Sequence, residues 1–246
     1  MNNELLQFYD EREKNITSNA SNIELQNAKD SFNLHSNLAR YSYNFSWMGR
    51  PIIAYPQDMI AMQELIWEIK PDLIIEAGIA HGGSIIYYAS LLELIGGDGM
   101  VLGIDIDIRK HNKDLIESHS MFKRIKMIEG SSVDENVAEN VYDIAKNKSR
   151  IMVCLDSNHT HEHVLAELEL YANLVTVGSY CVVFDTIVEY LPKDYMIGGR
   201  PWNPGNNPKT AVDAFLKNNN NFEIEKSIDN KLLISVAPGG YLKRIR

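Results

Sequence analysis

One stretch constrains the fold of this chain more than any other: Asp72-Leu73-Ile74-Ile75-Glu76-Ala77-Gly78-Ile79-Ala80-His81-Gly82-Gly83-Ser84. Apolar residues behind Pro71 predict a buried strand, Gly78, Gly82 and Gly83 predict a tight turn, and the apolar pattern from Ile85 to Ile95 predicts a helix. Glycines lack Cβ and let backbone approach a ligand closely, while the first amides of the helix have no partners of their own. A ligand therefore belongs on the turn. Its pattern is Glu-x-Gly-x-x-x-Gly, which differs from the G-x-G-x-x-G of pyrophosphate-binding turns.

Strands and helices alternate from there. Strands are expected at 72–77, 100–105, 124–129, 150–155 and 179–184, with helices at 84–95, 110–118, 133–147 and 161–173. Short apolar runs alternating with helices imply a mostly parallel sheet covered on both faces. A segment rich in Gly, Pro and Asn runs from Thr186 to Pro208, followed by a helix at 208–218. Two closing strands, 222–226 and 231–236, are expected to form a hairpin around Asp229-Asn230, which makes the last of seven strands antiparallel. Upstream, Pro56–Ile69 reads as a helix ended by Pro71. Residues 1–30 are polar with weak helical patterns, and Tyr41, Tyr43, Phe45, Trp47 and Met48 form an aromatic and apolar cluster. The division expected is an N-terminal helical arm at 1–55, whose aromatic part is either a packing layer or a lid, and one α/β domain at 56–246.

Composition excludes several classes. With 246 residues and 45% hydrophobic content, the chain can bury one large core. A net charge of -9 without a basic run argues against nucleic acid or an anionic membrane surface as partner. Cys154 and Cys181 lie in expected strands and read as reduced core residues of a cytoplasmic protein. The N-terminus has no basic or apolar leader pattern, and no run reaches the roughly 18 apolar residues that membrane insertion needs.

In an open parallel sheet, ligands bind beyond the carboxyl ends of the strands. Each of the first five strands ends in a carboxylate here: Glu76, Asp105 with Asp107, Glu129 ahead of Ser131, Asp156 and Asp185. Like charges repel, so stability does not explain such an edge, and it reads as functional. Asp105 follows the glycine turn at roughly the 20-residue distance of a ribose-binding acid. That favours a nucleoside ligand without separating adenosylmethionine from a nicotinamide cofactor. Asp156 and Asp185 offer hard oxygen donors from neighbouring strands and are the candidate Mg²⁺ ligands. His159, His161 and His163 cluster at a helix start and read as solvated side chains rather than a joint metal site.

Several motifs together resemble one family. Glu-Ala-Gly-Ile-Ala-His-Gly-Gly-Ser at 76–84, Gly-Ile-Asp-Ile-Asp-Ile-Arg at 103–109, Glu-Gly-Ser-Ser at 129–132, Leu-Asp-Ser-Asn-His-Thr-His-Glu-His-Val at 155–164 and Pro-Gly-Gly-Tyr-Leu-Lys-Arg-Ile at 238–245 resemble the family named for cephalosporin hydroxylase, from about Trp47 onward. Despite its name, that family is similar to S-adenosylmethionine-dependent O-methyltransferases, including those acting on rhamnosyl and macrolide sugars. The resemblance implies a Rossmann-like class I methyltransferase fold and a sugar or glycosylated small molecule as acceptor, in surface polysaccharide or natural-product biosynthesis, with oligomer formation. It implies that Glu76, Gly78, Ala80, Gly82, Gly83, Ser84, Asp105, Asp107, Ser131 and Asp156 hold the cofactor. Asp156 and Asp185 would bind Mg²⁺, with His159 as base beside Asp156. The family pattern after the fifth strand is Glu-Asp-Thr, whereas this chain has Phe184-Asp185-Thr186, one carboxylate fewer, for which Glu189 or an extra water could compensate. Trp202 and Tyr195, with the aromatic segment 41–47, are the candidate acceptor walls.

Three other readings compete. Tyr142 and Lys146 match the Tyr-x-x-x-Lys pair of short-chain dehydrogenases and would suggest an NAD(P)-dependent sugar oxidoreductase, although the pair lies before the fourth strand rather than after it. An iron oxygenase would need a facial triad whose spacing the histidines do not reproduce. A non-catalytic nucleoside-binding protein would explain Phe184 but not the retention of His159 and Asp156.

Overall fold

The computed structural model describes residues 3–192 and 199–246. The chain opens with two helices, α1 (Asn3–Asn19) and α2 (Ile23–Leu38). Asn22 caps α2 by accepting from the Leu25 amide. A 3₁₀ turn, Tyr41–Asn44, leads into an antiparallel hairpin of β1 (Phe45–Trp47) and β2 (Arg50–Ile52). Its two connecting residues, Met48 and Gly49, both have positive φ, as the twist of a tight hairpin demands. Helix α3 (Pro56–Ile69) starts on a proline and ends at left-handed Lys70, immediately before Pro71.

The alternation then unfolds as β3 (Leu73–Ala77), α4 (Gly83–Ile95), β4 (Met100–Asp105), α5 (Lys110–Glu117), β5 (Ile125–Glu129), α6 (Glu135–Ala145), β6 (Ile151–Leu155), α7 (His161–Tyr171) and β7 (Tyr180–Val183). The last elements are α8 (Pro208–Asn218), β8 (Phe222–Ile224), α9 (Lys226–Leu232) and β9 (Tyr241–Arg244). Among the described residues seven strands form one sheet in the order β5-β4-β3-β6-β7-β9-β8, in which β9 runs antiparallel to β7 and β8 and the other pairings are parallel. Its central strands are buried on both faces, as their unbroken apolar runs require. Against one face pack Ile66 of α3, Ile86 of α4, Ile116 of α5 and Ile228 of α9. Against the other pack Val141 of α6, Leu168 of α7 and Val212 of α8.

The closing segment differs from the expected hairpin. Residues 226–232 wind into α9, so the 231–236 strand does not form, and the antiparallel strand is β9, inserted between β7 and β8. The apolar run from Leu232 to Val236 imitates a strand, but Leu233 takes φ 59 and breaks the chain direction. Asp229 does not turn a hairpin. Its two carboxylate oxygens accept from the Gly239 amide, tying α9 to the loop that feeds β9. Cys154 and Cys181 are buried and unpaired, and no helix among the described residues is long and apolar enough to cross a membrane.

Helix α4 meets the hairpin at a point where no side chain fits. A Cβ on Gly83 would lie 2.1 Å from the Pro51 carbonyl oxygen. Gly83→Ala is therefore expected to destabilise the protein by about 1–3 kcal/mol despite alanine's better helix propensity, read as a lowered midpoint in urea or thermal unfolding.

Candidate active site

The turn after β3 is built by backbone constraint. Gly78 and Gly82 take φ 89 and 79, and Ala80 takes φ 44, a left-handed value that a residue with a Cβ rarely adopts. A Cβ on Gly78 would sit 2.2 Å from the Asp156 carbonyl oxygen, so glycine brings the loop after β6 against the turn. Gly82 precedes α4 without a side-chain cap, which leaves amides of the first helical turn available. The turn is clamped from two sides. Asp105 Oδ2 accepts from the amides of Ile79 (3.0 Å) and Ala80 (3.1 Å), and Asp105 Oδ1 accepts from the Asp107 amide (3.2 Å). From the hairpin, buried Arg50 donates to the His81 carbonyl through Nε (3.0 Å) and to Asn112 Oδ1 through Nη2 (2.9 Å).

These elements enclose a cavity of about 490 Å³ at the carboxyl ends of β3, β4, β6 and β7, within the range of small-molecule sites. Glu76, Gly78, Ala80, Gly83, Ser84, Asp105, Ser131, Asp156, His159 and Asp185 all line it. Gly82 shapes the turn from outside the lining. Asp107 and Glu129 do not reach the cavity. The Asp107 amide bonds back to Asp105 and sends its own carboxylate out toward Arg109, 3.7 Å away, and Glu129 is exposed. Glu189 does not compensate for Phe184, because its carboxylate accepts from the Gly205 amide (2.8 Å) and Asn207 Nδ2 (2.5 Å). Tyr195 lies outside the described residues. Tyr142 donates to the Leu170 carbonyl, and neither it nor Lys146 lines the cavity, which removes the structural basis of the dehydrogenase pair.

Asp156, His159 and Asp185 converge. One ligand atom from each lies within 4.8 Å of the others, and His159 Nε2 is 3.2 Å from Asp185 Oδ2. Asp185 holds φ 55, and such left-handed strain at a non-glycine residue gathers at functional sites. The His159 ring meets Trp202 edge to face at 4.8 Å, and the Arg200 guanidinium lies 5.2 Å from the same indole. Phe184 is buried beside them, an apolar wall where a third carboxylate was expected. The other two histidines serve the scaffold: His161 binds Asn206 and Thr210, and His163 joins Ser132 and Glu167.

Burial sets the charge state. Glu76 is 1% exposed, and desolvation lifts its carboxyl to about 8 against the opposing bond from Ser84 (2.6 Å). Asp58, on α3 and also lining the cavity, is lifted to about 6 by burial although Ser235, Val236 and Tyr241 all donate to it. Asp156 is held well above the usual carboxylate range, chiefly by burial and then by Asp185 and Glu76.

Sequence reasoning missed Arg50, Asp58, Ser132, Ser157 and Glu167. A signal existed for Glu167. It falls on the buried stripe of α7 with Val164, Leu168 and Tyr171, where a carboxylate is out of place.

Comparison with known proteins places the chain among methyltransferases. Residues 39–245 match the family model described as Rhamnosyl O-methyltransferase/CmcI. The Rhamnosyl O-methyltransferases of Mycobacterium bovis (strain BCG / Pasteur 1173P2) and Mycobacterium tuberculosis (strain ATCC 25618 / H37Rv) are 33% identical over 204 residues, covering 81% of this chain and 78% of theirs. That of Mycobacterium leprae is 31% identical and is covered to 82%. Among solved structures, CmcI with Mg and SAM superposes with a TM-score of 0.58 at 19% identity, covering 83% of this chain and 78% of that one. MycE with Mg and SAH, from mycinamycin biosynthesis, gives 0.51 at 16%, covering 87% and 54%. The structural likenesses establish the class I methyltransferase fold.

The folded protein keeps the Glu76 proton up to about pH 8, whereas an unfolded chain releases it near 4.5. Stability should therefore fall as pH rises through that window, because the unfolded state binds fewer protons there. Thermal midpoints measured between about pH 5 and 8 should decline, and Glu76→Gln should flatten part of that decline.

Proposed function

The chain belongs to the Rhamnosyl O-methyltransferase/CmcI family, and we propose that it transfers the methyl group of S-adenosylmethionine to a hydroxyl of a sugar or glycosylated small molecule. One observation carries this reading: a single cavity holds both the glycine turn with Asp105 and the cluster Asp156, His159 and Asp185. The first half suits a nucleoside, and the second suits a hydroxyl that must lose its proton.

The cofactor rests against Gly78, Ala80, Gly83 and Ser84, with Glu76 behind them and Ser131 and Asp156 alongside. Asp105 has about four lone-pair positions, and the amides of Ile79, Ala80 and Asp107 take three. The fourth accepts a ribose hydroxyl. The acceptor lies against Trp202 and Tyr43, where an aromatic face can stack on a sugar ring.

Methyl transfer is an in-line displacement. His159 takes the proton of the acceptor hydroxyl, the oxygen forms its bond to the methyl carbon, and the carbon–sulfur bond breaks to leave a neutral thioether. Alignment of oxygen, carbon and sulfur supplies several kcal/mol, and a positioned imidazole adds roughly 10²- to 10⁴-fold. Asp185 orients His159 through the 3.2 Å contact. The carboxylates of Asp156 and Asp185, brought together at the partly exposed mouth of the cluster, fit a divalent cation such as Mg²⁺ that keeps several waters. When bound, such an ion lowers the pKa of a sugar hydroxyl.

Two finer expectations accompany this reading. Exposed Leu5, Leu6 and Phe8 on α1 favour self-association, which sedimentation would register. Two buried, unpaired cysteines favour the reducing cytoplasm.

The test is methyl transfer from isotopically labelled S-adenosylmethionine to rhamnosides and other glycosides, alongside thermal unfolding with S-adenosylhomocysteine. Ligand at about 100 times its dissociation constant adds roughly 2.7 kcal/mol of stability. His159→Ala should lower kcat about 10²- to 10⁴-fold while adenosylhomocysteine binding is retained. Full activity in that variant would remove His159 from the base role, and the absence of any adenosylhomocysteine effect would overturn the reading.

A further inference from the structure

Behind the cavity wall lies a polar network that the methyl-transfer steps do not use. Glu167 of α7 is fully buried, and its Oε1 accepts from Ser132 Oγ (2.5 Å) and from Ser157 Oγ (2.5 Å). Its Oε2 has no hydrogen-bond partner among the described residues. A buried carboxylate with one oxygen unsatisfied costs stability, and an apolar side chain of similar size would serve the α7 core as well or better. What the carboxylate does accomplish is directional. A carboxylate only accepts, so each serine must spend its single proton on it.

The consequence reaches the cavity, which Ser132, Ser157 and His163 all line. Ser132 Oγ lies 3.0 Å from His163 Nε2, and with its proton committed to Glu167 it can only accept there, which puts the His163 proton on Nε2. To a ligand, the two serine hydroxyls offer acceptor lone pairs and no proton. Ser132 has one lone pair remaining and Ser157 two. The group that matches them is a hydrogen-bond donor.

The location identifies which donor, on the premise that the cavity holds the S-adenosyl cofactor proposed above. Asp105 pairs with Glu129 in the sheet, and the Gly130 amide donates to the Asp105 carbonyl (2.8 Å), so the Ser131-Ser132 turn adjoins the ribose-binding acid. Ile106, the residue after Asp105, is an exposed apolar side chain that lines the same part of the cavity and suits a flat base. Beyond the ribose, the base edge therefore meets Ser132 and Ser157. Adenine presents a 6-amino donor at that edge, whereas hypoxanthine presents a 6-oxo acceptor that would face acceptors.

We propose that Glu167 is a positioning residue that fixes Ser132 and Ser157 as hydrogen-bond acceptors and thereby makes the cavity select 6-amino over 6-oxo purine nucleosides. Removing the carboxylate removes the compulsion. Glu167→Leu takes away both acceptor oxygens, which frees the serine protons to turn toward the ligand.

The experiment is calorimetric titration of the full chain with S-adenosylhomocysteine and with its 6-oxo counterpart, S-inosylhomocysteine. Wild type should bind the 6-oxo compound roughly 10- to 100-fold more weakly, since opposed acceptors leave buried polar groups unpaired. Glu167→Leu should bring the two affinities to within about threefold of one another. Ser157→Ala, which removes acceptors without touching the buried carboxyl, should also narrow the ratio and serves if the Glu167 variant does not fold. Equal binding of both compounds by wild type would overturn the proposal while leaving the methyltransferase reading intact. A ratio unchanged in Glu167→Leu, or in Ser157→Ala if that variant alone folds, would overturn it as well, because a merely structural role weakens both ligands alike. Failure of wild type to bind either compound would overturn both readings.

Discussion

The site depends on one contact between two backbones. The loop after β3 and the loop after β6 approach until a Cβ at Gly78 would lie 2.2 Å from the Asp156 carbonyl oxygen. Ladder bonds carry the approach, with the Asp156 amide donating to the Ala77 carbonyl and the Gly78 amide to that of Ile104. A side chain at 78 would separate the glycine turn from the residue that begins the Asp156, His159 and Asp185 cluster. On the other side, Gly83 admits the Pro51 carbonyl in the same way. Two absent Cβ atoms thus let three segments meet at one cavity, and close packing at those points leaves no slack to accommodate more.

Electrostatics follow from that enclosure. Glu76, Asp58 and Asp156 surround one cavity, and withdrawing them from water raises all three carboxyls. At neutral pH Glu76 keeps its proton, which reduces repulsion without removing the acidic character of the cavity. Such a cavity favours positive charge within it. The sulfonium of S-adenosylmethionine would bring one, and so would the divalent ion proposed for Asp156 and Asp185. In this chain Phe184 leaves the two carboxylates of Asp156 and Asp185 beside the His159 imidazole, so the cluster is less purely oxygen than three carboxylates would be.

The segment ahead of α3 contributes more than cover. Tyr41 and Phe45 pack as an aromatic layer, while Ser42 and Tyr43 line the cavity itself. Arg50, two residues past the hairpin turn at Met48, reaches the His81 carbonyl and Asn112 and so clamps the glycine turn from above. Glycine turn, aromatic cavity wall and hairpin are therefore mechanically continuous. The first two helices lie ahead of the region matching the family, and α1 has no buried residue.

By itself the sequence determined the alternation of strands and helices, the glycine turn and the line of acids at the strand ends. Each of these is local: periodicity, missing Cβ atoms and positions within a few residues of a strand end suffice to specify it. Which acids face inward was not legible, because Asp105 and Asp107 differ only by a turn that one amide bond completes. The closing strand was misplaced for a related reason. The run from Leu232 to Val236 has strand-like composition, but Asp58 holds Ser235 and Val236 from across the molecule while β9 fills the sheet. Arg50 against His81, Glu167 against Ser132 and Ser157, and His159 against Asp185 were decided by tertiary structure alone. In each pair a polar group buried by folding takes the partner brought within reach, and that partner is set by the packing of whole elements rather than by spacing along the chain.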